Sequence, residues 1–292
     1  VDFSSLLYDV SLSKQDITMN NNTLPVRLPA DYHMHTTLCK HAEGTPHEFK
    51  QTAIERGIPE MCFTDHCPEP SGYDSKHRMS INEIPAYYDL IRSLQDETQP
   101  AIFLGIEADF FPGCEPFLAP FLPAQPFDLV LGSVHYIKDW GFDNPDYRKT
   151  WESVDLKGVW NEYFNLLKAL VDTRLFDVIG HFDLPKKFGH RLRDRDMKEL
   201  IQPILDHVSK SGMGIEINTS GWRREVGEAY PSPLILSLAN ERAIPITFGS
   251  DAHAPKEVGC DFAKALQLAK EAGYRDSLQF RSRTGTRIPL PN

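Results

Sequence analysis

Residues 245–253 read Pro-Ile-Thr-Phe-Gly-Ser-Asp-Ala-His, a short apolar and β-branched run that ends in two metal-binding side chains. Side chains two apart on a strand share a face, so Asp251 and His253 aim into the same space. Near the other end of the chain Pro29–His35 closes in the same way, on His33-Met34-His35. Five further segments of this kind lie between: Glu60–His66, Ile102–Asp109, Leu129–Tyr136, Phe176–Asp183 and Gly214–Thr219. Longer amphipathic stretches separate them, and helices are expected at Pro46–Arg56, Ile81–Asp96, Glu152–Thr173, Asp194–Lys210, Ser232–Arg242 and Gly259–Ala272. The alternation predicts an α/β fold in which seven βα units surround a parallel sheet, a TIM-like barrel.

All seven segments finish in polar residues of one chemical type: His33 and His35, His66, Glu107 and Asp109, His135, His181 and Asp183, Glu216 and Asn218, Asp251 and His253. In a parallel barrel the C-terminal strand ends form the active face, so these clusters should converge on one pocket. Many buried ionisable groups in one place demand partners, and divalent cations supply them. His41 stands on the loop beyond the first strand, close enough to fold back over the mouth. Imidazole and carboxylate donors suit zinc, iron or manganese. Cys39 and Cys67 read as bystanders, and His47, His77, His190 and His207 as surface or packing histidines.

At 292 residues the chain fits one large domain, here 29–292, preceded by a polar extension, 1–28. The formal charge of −10 argues against a nucleic-acid backbone as partner and is compatible with a small, partly cationic substrate. Five scattered cysteines point to a reducing cytoplasm rather than a disulfide framework. No apolar run approaches the roughly 18 residues of a membrane span, and no signal-peptide pattern opens the chain.

Through His33-x-His35, His41, Thr64-Asp65-His66, Glu107, His135, His181 and Asp251-x-His253, the sequence resembles the PHP (polymerase and histidinol phosphatase) family. The resemblance implies a distorted seven-stranded barrel and three divalent metal ions. His33, His35, Glu107 and Asp251 would hold one ion, Glu107 would bridge to a second held with His135 and His181, and His41, His66 and His253 would hold the third. Glu107, Asp251 and His253 then count among the catalytic groups. A closer likeness is to the histidinol-phosphate phosphatases within the family, carried by Gly105–Gly113, Phe127–Tyr136, Ile179–Gly189, Asn218–Arg224 and Gly249–His253. It implies hydrolysis of a small phosphomonoester, L-histidinol phosphate, in histidine biosynthesis.

Two metals sharing an oxygen can bring a bound water's pKa to about 7, so a bridging hydroxide is expected to attack phosphorus without a phosphoenzyme. Arg223 and Lys40 are the candidate phosphate cations, because a guanidinium fork matches phosphate oxygens. Asp183 and Glu115 are expected near the substrate's cationic groups, with Asn218 among the substrate-binding residues. Rival readings are another PHP-type phosphoesterase acting on nucleotides or oligonucleotides, an amidohydrolase, and a non-catalytic metal-bound scaffold. The amidohydrolase pattern expects a lysine on the fourth strand, where this chain carries His135.

Overall fold

The computed structural model describes residues 27–95 and 98–292, so nearly all of the expected N-terminal extension lies outside the described residues. The strands are β1 (Glu60–Phe63), β2 (Ala101–Asp109), β3 (Leu129–Ser133), β4 (Tyr136–Ile137), β5 (Trp140–Gly141), β6 (Val178–Ile179), β7 (Gly214–Asn218), β8 (Ile246–Gly249), β9 (Asp276–Arg281) and β10 (Thr284–Pro289). The helices are α1 (Pro46–Arg56), α2 (Ile84–Arg92), α3 (Glu115–Phe121), α4 (Leu156–Thr173), α5 (Asp194–Ser211), α6 (Pro233–Asn240) and α7 (Phe262–Glu271). None of the described helices is long and apolar enough to cross a membrane.

Six strands, in the order β1-β2-β3-β6-β7-β8, form one parallel sheet rather than the seven expected. The segment expected as the first strand forms only isolated bridges, Asp31 with Met61 and Met34 with Ala252. It nevertheless bonds to both sheet edges: Asp31 N donates to Glu60 O at 2.9 Å, and Tyr32 N to Phe248 O at 2.9 Å. Thus the sheet curls until one extended segment reaches β1 and β8 together. Residues 31–35 alternate partners along their length, which leaves no continuous ladder with either neighbour.

Local sequence explains the helix boundaries. Thr45 caps α1 through a reciprocal capping box with Glu48, Pro46 occupies the first turn, and Gly57 closes the helix at φ 70°. At α6 the Ser232 side chain accepts from Ile235 N and Pro233 occupies the first turn. In α4 the buried Val159, Trp160, Tyr163, Phe164, Leu167, Leu170 and Val171 recur at helical spacing and turn one face to the sheet.

The register places the chemistry. Met61, Phe63, Val130 and Ile179 point outward into the main core beneath the helices. Their neighbours Cys62, Leu129, Leu131 and Val178 point to the other face, where they pack with Ala30, Tyr32, Leu278 and Phe280 in a second, smaller cluster. Leu131 stands opposite Glu107 across β2 and β3, so the inner face changes from apolar to acidic along the strands. The antiparallel hairpin β9–β10 supplies Leu278 and Phe280 to the apolar end. That leaves the C-terminal strand ends as the polar mouth. Neither this hairpin nor α3 was expected from sequence, and the expected helix at 81–96 is a 3-10 turn followed by α2, its last residue lying outside the described residues.

Candidate metal centre

Glu107, at the inward end of β2 and 1% exposed, is the hub of the mouth. Its Oε2 lies 3.4 Å from His33 Nε2, 3.6 Å from His35 Nε2 and 3.0 Å from His66 Nδ1. Its Oε1 lies 3.0 Å from His181 Nε2 and 3.7 Å from His135 Nε2. Five imidazoles thus surround one carboxylate. On the opposite side Asp251 Oδ1 approaches His35 Nε2 at 3.5 Å and His33 Nε2 at 3.7 Å. His41, His66 and His253 gather at the outer edge, with the His41 and His253 rings stacked at 4.6 Å.

Hydrogen bonds fix which nitrogen of each ring faces inward. His33 Nδ1 lies 2.7 Å from Glu216 Oε1, His135 Nδ1 2.9 Å from Asp109 Oδ1, and His41 Nδ1 2.8 Å from Cys39 O. Each acceptor draws the ring proton to Nδ1, which leaves the Nε2 lone pair aimed at the centre. The His33 and His35 Nε2 atoms face each other at 3.1 Å, and those of His135 and His181 at 3.3 Å. Glu107 Oε2, His66 Nδ1 and His253 Nε2 are buried without a hydrogen-bond partner, even though the first two are 3.0 Å apart. Imidazole nitrogens and carboxylate oxygens that converge this closely, several of them buried without a hydrogen-bond partner, are a donor set for a cation, so these residues fit divalent metals.

Outer contacts hold this arrangement. Arg78 Nη2 donates to Asp109 Oδ2 at 2.8 Å and so orients the acceptor of His135. Glu216 Oε2 accepts the backbone N–H of His181 at 2.9 Å and Asn218 Nδ2 at 3.0 Å. Gly249 makes room for them: a Cβ there would overlap Glu216 and the His33 Cβ. His181 and Asp251 adopt φ of 23° and 52°, the left-handed region that L residues rarely occupy. Such turns cost about 1–3 kcal/mol each and persist where surrounding contacts hold them.

Charge follows the geometry. Burial opposes a proton on His35 and His135, but the carboxylates outweigh it: Asp251 and Asp65 hold His35 up at about 9, and Asp109 with Glu107 holds His135 up at about 10. Burial also opposes ionisation of Glu107, yet the surrounding imidazoles keep its carboxyl well below the usual range. His66 and His253 are pushed down by burial and by neighbouring rings.

The PHP domain family matches residues 31–220, and a PHP-associated family matches 233–262. The chain belongs to the PHP family. Among proteins of this kind, one named a probable histidinol-phosphatase from Deinococcus radiodurans is 45% identical over 255 residues, covering 87% of this chain and 96% of its own length. A histidinol-phosphatase from Bacillus subtilis is 27% identical over 264 residues, covering 81% and 98% respectively. The solved structure of a histidinol phosphate phosphatase from Lactococcus lactis, complexed with zinc, L-histidinol and phosphate, shares the fold. It has a TM-score of 0.78 and 24% identity, covering 88% of this chain and 98% of that one.

In this PHP domain the nine side chains expected as ligands lie together, and all but the buried His33 and His35 line a cavity of about 720 Å³. Arg223, on the 3-10 turn after β7, lines it: Nη2 donates to Ser250 O at 2.7 Å, Nε faces Glu257 Oε1 at 3.5 Å, and Nε has no hydrogen-bond partner. The other expected substrate-binding residues lie elsewhere. Lys40 is exposed and donates to Ser75 O at 2.7 Å, outside the lining. Glu115 turns back to Gly113 N at 3.2 Å in the first turn of α3. Asp183 is 1% exposed and occupied by Lys186 Nζ at 2.8 Å and Ser232 N at 3.0 Å. Asn218 is buried, donating towards Asp251 Oδ2 at 3.4 Å and accepting from Ser220 Oγ at 2.7 Å, so it orients Asp251.

His77, read from sequence as remote from the chemistry, lines the cavity and meets the His41 ring edge-on at 5.4 Å. His190 instead stacks on Trp151, and His207 pairs with Asp172 at 2.7 Å. Sequence reasoning passed over Asp143, Arg148, Lys187 and Tyr230, all on the cavity wall. They stand in a turn, two 3-10 helices and an isolated bridge, outside the strands whose periodicity marks a site.

Proposed function

We propose that this PHP-family protein is a metal-dependent phosphomonoesterase that hydrolyses L-histidinol phosphate to L-histidinol and phosphate. One observation carries the reading: five imidazoles stand within 3.7 Å of the two Glu107 oxygens at the floor of a cavity open to small molecules. The 45% identity to a protein named a probable histidinol-phosphatase supports the choice of substrate.

Among the described residues five groups of three donors lie within 4.8 Å. Beside His35 with Cys39 and His253, and His66 with Asp109 and His135, three support the division that the resemblance implies: His33 with His35 and Glu107, Glu107 with His135 and His181, and His41 with His66 and His253. Asp251 joins the first group through its approaches to His33 and His35. We assign three divalent ions, zinc, iron or manganese, to these groups, with Glu107 shared between two. Bound there, such ions supply Lewis-acid polarisation of phosphoryl oxygens and acidify water to a pKa of about 7.

The chain's own residues do the rest. Glu216, Asp109 and the Cys39 carbonyl hold His33, His135 and His41 in the tautomer that presents Nε2. Asn218 and Ser220 engage Asp251 Oδ2, at 3.4 and 3.1 Å, and leave Oδ1 to the site. Arg223, whose side chain lines the cavity, is the candidate guanidinium for a phosphate oxygen. Asp143 and Glu225 line the same wall, each paired with a cation, Lys187 and Arg148 respectively.

Phosphate release from histidinol phosphate, nucleoside monophosphates and a single-stranded oligonucleotide tests the reading, using protein whose metal content has been measured. Preference for histidinol phosphate is expected. Faster release from a nucleotide or the oligonucleotide overturns the substrate assignment, and no release by fully loaded protein overturns the enzyme.

A further inference from the structure

Tyr230 combines a fixed ring with an unused hydroxyl. Its backbone pairs with Asn218 at the end of β7: Tyr230 N donates to Asn218 O at 2.9 Å and Asn218 N to Tyr230 O at 2.6 Å. The ring lies over Gly221, where a Cβ would meet it at 2.9 Å. Lys186 Nζ sits 5.3 Å from the ring centroid, and the His181 ring stands across it at 6.5 Å and 82°. Backbone pairing, a glycine and two side chains therefore hold the ring in one position.

The hydroxyl at its tip has no hydrogen-bond partner, although Tyr230 is only 1% exposed. A buried polar group without a partner costs free energy, and burial here keeps the phenol protonated, hence a donor. Tyr230 lines the cavity together with Ser220, Asp251 and His181, the ring that stands 6.5 Å from its own. The ring thus stands on the part of the wall beside His181, next to the side chains assigned to the metal ions that would hold a phosphoryl group. Phosphoryl oxygens are acceptors, whereas an ammonium group offers only donors.

We propose that Tyr230 is a substrate-binding residue whose hydroxyl donates a hydrogen bond to an oxygen of the substrate's phosphoryl group. The inference rests on the phosphomonoesterase reading. It adds a neutral donor to the metal ions and Arg223, one that contacts the phosphate itself rather than the alcohol part of the substrate.

The test is Tyr230→Phe in metal-loaded protein, which removes the hydroxyl and leaves the ring. Metal content and ligand-free melting temperature should not fall, because the deleted atom has no partner in the free protein. Binding of inorganic phosphate, read by calorimetry and as competitive inhibition, should weaken roughly tenfold or more, with a matching loss in kcat/KM. Unchanged phosphate affinity overturns the proposal, as does a raised KM at constant phosphate affinity. A lowered melting temperature overturns it too, since the hydroxyl would then have a structural partner. If the wild-type protein releases no phosphate from histidinol phosphate, the functional reading fails on its own, and the phosphate-binding arm still decides whether Tyr230 contacts phosphate.

Discussion

Glu216 Oε1 stands 2.7 Å from His33 Nδ1, and the other oxygen of the same carboxylate accepts the His181 backbone N–H at 2.9 Å. One buried side chain on β7 thus orients candidate ligands from two other segments, of which His181 sits at a backbone angle it would not adopt unaided. Replacing it with glutamine keeps the shape but sets an amide N–H₂ against a ring or backbone donor. Glu216→Gln should lower metal affinity by roughly 10- to 100-fold, as outer-contact changes do at metal sites. Metal per chain after dialysis against a graded chelator measures this, and a retention curve identical to the wild type contradicts the orienting role.

Glu107 is where the sequence argument and the geometry meet most closely. Glu107→Gln removes the charge that two donor groups share while preserving side-chain volume. Loss of most bound metal is expected, together with a drop in hydrolysis of roughly a thousandfold or more, since several kcal/mol of charge stabilisation leave with the ions. Elemental analysis beside a phosphate-release assay decides it. A fully loaded, active variant sinks the bridging assignment.

The convergence of these side chains was legible because two regularities coincide: side chains alternate along a strand, and parallel strands end on one side of their sheet. His33 and His35 follow from the first, and their meeting with Glu107 from the second. Asp251 and His253 instead stand beyond Gly249, the end of β8, and are brought in by the bridge of Ala252 to Met34. Strand 29–35 was over-read because its hydrogen bonds go to β1 and β8 by turns, a tertiary arrangement that local propensity does not encode. Hairpin β9–β10 was missed because only Leu278 and Phe280 turn into the apolar cluster, too short a pattern amid charged neighbours. Lys40, Glu115 and Asp183 failed to reach the cavity for another reason. Where a long polar side chain points is set by loop backbone and by competing partners such as Ser75 O, Gly113 N and Lys186.

Arg223 separates charge from shape. Its guanidinium is anchored to Ser250 O at 2.7 Å, stands 3.5 Å from Glu257 Oε1 and lines the cavity. Arg223→Ala should raise the substrate KM about tenfold or more while changing kcat less, since a charge-assisted hydrogen bond is worth about 1.5–3 kcal/mol. Arg223→Lys keeps the charge and loses the fork, so it should recover only part of the affinity. Steady-state kinetics of the two variants provide the check, and wild-type KM in both clears Arg223 of phosphate binding.

Removing the metals should expose a stability maximum in pH, and its position follows from the shifted histidines. His66 and His253 lie below their ordinary value of 6.5 when folded, so acid protonates the unfolded chain first and stability rises with pH up to about 6.5. His35 and His135 lie above it, at about 9 and about 10, because carboxylates stabilise their charged forms. Their contribution is complete below pH 6.5 and is lost as pH climbs through 9 and 10, where the folded protein too must release those protons. Metal-free protein should therefore melt highest near pH 6.5 and lose melting temperature towards pH 10, whereas metal-loaded protein should not share that alkaline loss, its imidazoles being already deprotonated and bound. Metal uptake should release protons at neutral pH, read by calorimetry in buffers of different ionisation enthalpy. Parallel melting profiles for the two forms, with no proton release, would show that these histidines hold no metal.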